Sequence, residues 1–240
     1  MSQLKPKRII LHCGLHKTGS TYLQRNFNCN HDALLSQGIL YLGPTTFKKQ
    51  LRGLWKQLHE GKSKKTQILK SSEESLKTLT QLAGQSPERI HTIFISFEAI
   101  FGTLRAGLIK TNRQKTSKRD NKSGLYRHSK RRVKRLMKGL EHALGTENID
   151  WDICFASRQR DDFIRSCHIQ LIKEGHEITH LSKEEFIETS NFSYAEPSKL
   201  IDELDTLKKT RKINILPFSY DHNSDRSEPT VYLNNFINLV

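Results

Sequence analysis

Two hydrophobic periods alternate along this chain of 240 residues. Five short runs are rich in aliphatic, aromatic and β-branched residues: 8–13 (RIILHC), 38–42 (GILYL), 91–96 (HTIFIS), 152–157 (DICFAS) and 212–218 (KINILPF). Each is bounded by polar or turn residues, the pattern of a buried strand. Between them apolar positions recur at helical spacing, as at Val133, Leu136, Leu140 and Leu144, or at Leu200, Leu204 and Leu207. Strands alternating with helices require crossover connections. The pattern therefore predicts a three-layer α/β fold with a roughly five-stranded parallel sheet flanked by helices. In such sheets ligands sit beyond the carboxyl ends of the strands, so the segments just after each strand are the ones to read for chemistry. The length suits a single domain over residues 1–240.

Charge changes this picture most. The net charge is +15, which points to an anionic partner such as nucleic acid, an acidic polysaccharide, a phosphorylated cofactor or a membrane surface. It is concentrated in residues 103–138, where fourteen Lys or Arg face one acid, Asp120. The middle of that stretch, NRQKTSKRDNKSG, has no apolar period and predicts a solvated, mobile loop inserted in the domain. A basic helix is expected from about Tyr126. No recognisable nucleic-acid motif accompanies the charge, and Tyr126 is the only aromatic residue within it, which disfavours nucleic acid. Cys13, Cys29, Cys154 and Cys167 lie too far apart for a C-x-x-C zinc or redox pair and read as reduced thiols. No run approaches the ~20 apolar residues of a membrane span, and the N-terminal run is too short for a signal peptide. A cytoplasmic protein is expected.

The first strand runs into a glycine loop, RIILHCGLHKTGSTYLQ, residues 8–24. Gly14, Gly19 and Thr21 fall on the phosphate-loop template G-x-x-x-x-G-K-[ST], but Ser20 stands where that template has lysine, and the lysine is Lys17. Thr18, Gly19, Ser20 and Thr21 would present amides and hydroxyls at the start of a helix, an anion cradle. The same residues would equally cap an ordinary helix.

Strand, then H-K-T-G-S-T, then helix resembles the 5′-phosphosulfate loop of sulfotransferases that use 3′-phosphoadenosine 5′-phosphosulfate (PAPS), especially their bacterial and carbohydrate-modifying members. The resemblance implies a P-loop-type fold, and cofactor contacts from His16, Lys17, Thr18, Gly19, Ser20 and Thr21. A lysine early in the loop can neutralise the leaving phosphate as the sulfur–oxygen bond breaks, so no metal is expected. A second match follows the fourth strand, where Arg158 precedes Ser166 by eight residues. It resembles the family's 3′-phosphate site, in which an arginine fork and a serine hydroxyl grip a group that ATP lacks. Cys167 and His168 depart from the aromatic that many relatives carry next. After the third strand comes Ser96-Phe97-Glu98, similar to a Ser-x-Glu segment of bacterial relatives. Glu98, flanked by Phe97 and Phe101, is the candidate base for the acceptor hydroxyl, with His16 its competitor. The implied activity is sulfuryl transfer from PAPS to a hydroxyl, most simply on a carbohydrate or polysaccharide held by the basic stretch. A P-loop nucleotide or small-molecule kinase and a non-enzymatic polyanion-binding protein are the alternatives.

Overall fold

A computed structural model describes residues 4–59, 65–108, 124–175, 180–220 and 229–240. All five expected strands form: β1 (Arg8–His12), β2 (Ile39–Leu42), β3 (Thr92–Ser96), β4 (Asp150–Ser157) and β5 (Lys212–Ser219). They make one sheet in the order β2-β3-β1-β4-β5, with every pairing parallel. β3 and the body of β4 are buried on both faces, which is why their sequences read as continuous apolar runs and not as alternation. β5 is an edge, half-exposed along its length, and can hold Pro217, which has no amide to give a further strand.

One face is covered by α1 (Ser20–Cys29) and α11 (Pro229–Leu239). Leu23 and Phe27 of α1 meet Ile10, Tyr41 and Phe94 of the sheet and Tyr232 and Phe236 of α11. The opposite face carries α4 (Arg52–His59), α7 (Ser129–Leu144), α8 (Arg160–Lys173) and α10 (Pro197–Asp205), whose apolar sides join Ile9, Leu11, Ile93, Trp151 and Ile153 in the larger core. Burying each such side chain contributes roughly 1.5–3 kcal/mol. Cys13, Cys154 and Cys167 are buried free thiols within these cores, and Cys29 is exposed. Among the described residues, no helix is long and apolar enough to cross a membrane.

The basic helix, α7, starts at Ser129, three residues later than its sequence suggests. Tyr126 is held at φ 63, a left-handed conformation no helix continues through, and its side chain is buried beside the loop after β1. Of the basic stretch, residues 109–123, and with them nearly all of NRQKTSKRDNKSG, lie outside the described residues.

Candidate functional site

The parallel ladder brings four loops to one edge. Phe97 N donates to the His12 carbonyl (2.9 Å), Cys13 N to that of Cys154 (2.9 Å) and Tyr220 N to that of Ser157 (2.8 Å). The chain leaves β1 toward β2 on one side of the sheet and leaves β4 toward β5 on the other. The crevice between β1 and β4 is thus the point where strand order reverses, the usual ligand position in open α/β sheets.

The loop of residues 13–19 turns sharply, with Lys17 at φ 66 and Gly19 at φ 75. Gly19 is required on space as well as on angle: a Cβ there would stand 2.8 Å from the Tyr220 ring and 3.0 Å from that of Tyr232. The loop is braced from several elements. Tyr232 of α11 donates to the Thr18 carbonyl (2.7 Å), and the Thr18 hydroxyl, fully buried, donates to the Leu15 carbonyl (2.6 Å). His16 N donates to the Tyr126 hydroxyl (2.9 Å), and His16 Nε2 lies 3.2 Å from the Gly102 carbonyl. Past Gly19 the first amides of α1 have no side-chain cap, since Gly19 offers none. Ser20 Oγ is buried, faces Gly14, and has no hydrogen-bond partner among the described residues. A helix N-terminus with open amides and a buried hydroxyl aimed into the turn above it suits an anion. Thr21 is exposed at the outer side of the same turn.

Arg158 and Ser166 meet directly. Arg158 Nη1 donates to Ser166 Oγ at 2.9 Å and to the Lys17 carbonyl at 3.3 Å. Its guanidinium lies 5.4 Å above the Tyr220 ring, and Nη2 is 4.0 Å from Asp162. Lys17 reaches across to α8, where Nζ donates to Gln170 Oε1 at 3.0 Å, while Gln170 Nε2 donates to Glu174. Burial pushes the Cys167 thiol up to about 12 against the pull of these two nearby cations. His168 turns away from the crevice and stacks on Phe186 in the core (4.7 Å). A cleft of about 70 Å³ opens beside Arg158, walled by Leu15, Phe163, Ile164, Phe192 and Pro197.

Glu98 opens a short 3-10 turn, Glu98–Ile100, directly after β3 and is half-exposed. Its two flanking rings turn into the core: Phe97 packs on Trp55 (5.0 Å) and Phe101 on Phe155 (5.8 Å), so neither hydrophobic neighbour lies over the carboxylate. Glu98 directly follows Phe97, whose amide bonds the His12 carbonyl at the end of β1, so it stands at the carboxyl edge next to the loop. Burial lowers His16 from its ordinary value, with the Glu98 charge opposing it. Every site residue expected from sequence therefore lies along one stretch of the carboxyl edge. Sequence reasoning missed His12, Tyr126, Gln170, Tyr220 and Tyr232. Tyr232 and Phe236, four apart, carried a helical signal; the others sit singly, and only the fold brings them to the loop.

A larger cavity, about 630 Å³, lies at the opposite edge, lined by Arg8, Asp150, Asp152, Arg211 and Lys212. Its charges are matched in place: Arg8 with Asp152, Lys212 with Asp150, and Arg211 with both oxygens of Glu141 (2.6 and 2.8 Å). It is an ion-pair network at the amino ends of β1, β4 and β5.

No family model and no curated protein matches the chain. Among solved structures, the crystal structure of APE1195 aligns over 100% of this chain and 99% of its own, at 10% identity and a TM-score of 0.39.

Proposed function

We propose that this chain is a sulfotransferase of the P-loop type that moves a sulfuryl group from PAPS to a hydroxyl of a carbohydrate acceptor. The observation that carries the reading is the bridge from Arg158 to Ser166 and to the Lys17 carbonyl, which ties two motifs 141 residues apart into one anion-binding surface. A nucleotide with phosphates at both its 3′ and 5′ positions suits that pairing: Arg158 and Ser166 for the first, the open amides and the Ser20 hydroxyl for the second. The buried Ser20 Oγ, unpartnered among the described residues, is what such a donor would satisfy.

The donor supplies an activated sulfur–oxygen bond. The acceptor oxygen attacks sulfur, its proton passes to Glu98, and the bond to the bridging oxygen breaks. Its electron pair stays on the 5′-phosphate, where Lys17 meets the growing charge. Lys17 must leave Gln170 to do so, and an exposed hydrogen bond is a weak restraint. His16, held by Gly102 and Tyr126, serves as a brace of the loop.

The basic stretch fits an anionic polysaccharide. Arg132, in the first turn of α7, donates to the Ala99 carbonyl at 3.4 Å, next to Glu98. Burial chiefly, and then the neighbouring guanidiniums of Arg131 and Arg135, lower Arg132 from its ordinary value.

Calorimetry with the product nucleotide 3′-phosphoadenosine 5′-phosphate (PAP), with ADP as control, tests the reading. PAP is expected to bind at least about tenfold tighter and without Mg²⁺. Equal affinities reject it, and binding of ADP that requires Mg²⁺ favours a kinase.

A further inference from the structure

Beneath the loop runs a line of polar side chains to which, Ser20 apart, the proposed chemistry gives no task. His12, the last residue of β1, is fully buried, with Nδ1 2.8 Å from Ser96 Oγ at the end of β3. From β2 the Tyr41 phenol lies near Ser96, and its hydroxyl has no hydrogen-bond partner among the described residues. On the other side of the ring, His12 Nε2 has no partner among the described residues, and neither does Ser20 Oγ, which is 4% exposed. Both atoms border the space beside Gly14, and no hydrogen bond joins them. A Cβ built on Gly14 would stand 3.1 Å from His12 Nε2 and 2.3 Å from Ser20 Oγ, so only glycine leaves them room to face each other.

We infer that Tyr41, Ser96, His12 and Ser20 are set to form a hydrogen-bond relay, in which the Ser96–His12 link stands already and the other two close when an anion binds in the loop, turning the Ser20 proton toward it, with His12 as the positioning residue. A serine hydroxyl has one proton and two lone pairs, and it donates to an anion best when a donor stands behind it. His12 is that donor in its Nε2–H tautomer, and this tautomer needs Nδ1 to accept from Ser96. Ser96 can then take a proton from Tyr41 on its own lone pair. With the anion bound and the links closed, all four protons point one way, to the N-terminus of α1. The opposite tautomer leaves a bare Nε2 behind Ser20 and draws its proton off the anion.

Burial holds the ring neutral, with its pKa lowered to about 4, and the Phe236 ring packs against it at 5.1 Å. The relay therefore supplies aligned dipoles and no net charge. It belongs to the anion-binding half of the proposed function and does not depend on sulfuryl transfer.

The test is the tautomer of His12, read from long-range ¹⁵N–¹H couplings of ¹⁵N-histidine-labelled full-length protein, while inorganic sulfate and then PAP are added. The expected result is a protonated Nε2 whose proton resonance moves as either anion binds. His12→Phe keeps ring volume and loses both nitrogens, and is expected to weaken PAP about tenfold. His12→Gln, which returns an N–H donor to that side, should recover most of the loss. An Nδ1–H tautomer, an Nε2 proton indifferent to both anions, or a folded His12→Phe protein with unchanged affinity overturns the relay. Should PAP bind no better than ADP while sulfate still moves the Nε2 proton, the sulfotransferase reading falls and the relay stands.

Discussion

Replacing Arg158 with alanine separates two jobs that one side chain performs. Its Nη1 donates both to Ser166, 2.9 Å away, and to the Lys17 carbonyl, 3.3 Å away. The first belongs to a 3′-phosphate grip and the second to the shape of the loop. A hydrogen bond to a charged group is worth roughly 1.5–3 kcal/mol, so losing the arginine should weaken PAP about 10- to 150-fold. The long bond to the carbonyl is a partly exposed one, worth at most about 1 kcal/mol, and its loss should cost ADP no more than about fivefold. Arg158→Ala should thus narrow the preference for PAP over ADP, by roughly 2- to 150-fold on these figures. Ser166→Ala alone should cost PAP a few-fold, roughly 1 kcal/mol, and the double variant less than both together, because the two side chains bond each other. Calorimetry of the four proteins with both nucleotides gives the cycle. If Arg158→Ala weakens PAP and ADP by the same factor, the arginine is only a brace of the loop and the 3′-phosphate assignment is wrong.

Lys17→Ala should lower kcat by about a hundredfold or more while nucleotide binding weakens less, since the charge it meets is largest in the transition state; steady-state rates with unchanged kcat would remove that role. Glu98→Gln should cost about two to four orders of magnitude in kcat and spare PAP affinity. If it turns over normally while His16→Ala does not, the base is His16. Activity on a sulfated polysaccharide should fall with added salt faster than PAP affinity does, because exposed charges such as those of α7 are screened over ~10 Å at 0.1 M; parallel salt curves would refute the acceptor role of the basic stretch. Acid should destabilise the fold through His12, whose folded pKa of about 4 lies below its ordinary 6.5. The folded state then binds fewer protons, so stability is full above pH 6.5 and falls as pH drops to 4, by about 3 kcal/mol in all. Urea unfolding of His12→Phe should lack that part of the pH dependence.

β1 to β4 were legible because burial on both faces leaves nearly unbroken apolar runs, and β5, the half-exposed edge, because Ile213, Ile215, Leu216 and Phe218 still gather in one short run; all five lie within two residues of the runs that announce them. The loop was legible for a different reason: a backbone that must turn tightly beside a helix start leaves glycines and hydroxyls at fixed spacing. What sequence could not supply was lateral. Tyr126 reaches His16 across 110 residues and Tyr232 reaches Thr18 across 214, and no local pattern encodes such a contact. His12 reads as one more residue of an apolar run. Only its register opposite Ser96, set by the β1–β3 pairing, gives its ring a polar neighbour. The start of α7 was misjudged for the same kind of reason, since the helix-forming sequence after Tyr126 is overruled by a tertiary bond to the loop.

The left-handed backbone at Lys17 sets function against durability. A lysine at φ 66 carries a Cβ penalty of roughly 1 kcal/mol that glycine or asparagine largely escapes. Lys17→Gly or Lys17→Asn should raise the melting temperature, unlike Lys17→Ala, which keeps the penalty. A screen that rewarded heat resistance alone would therefore discard the one side chain on which the proposed reaction most depends, and thermostable variants of this protein should be sought at positions other than 17.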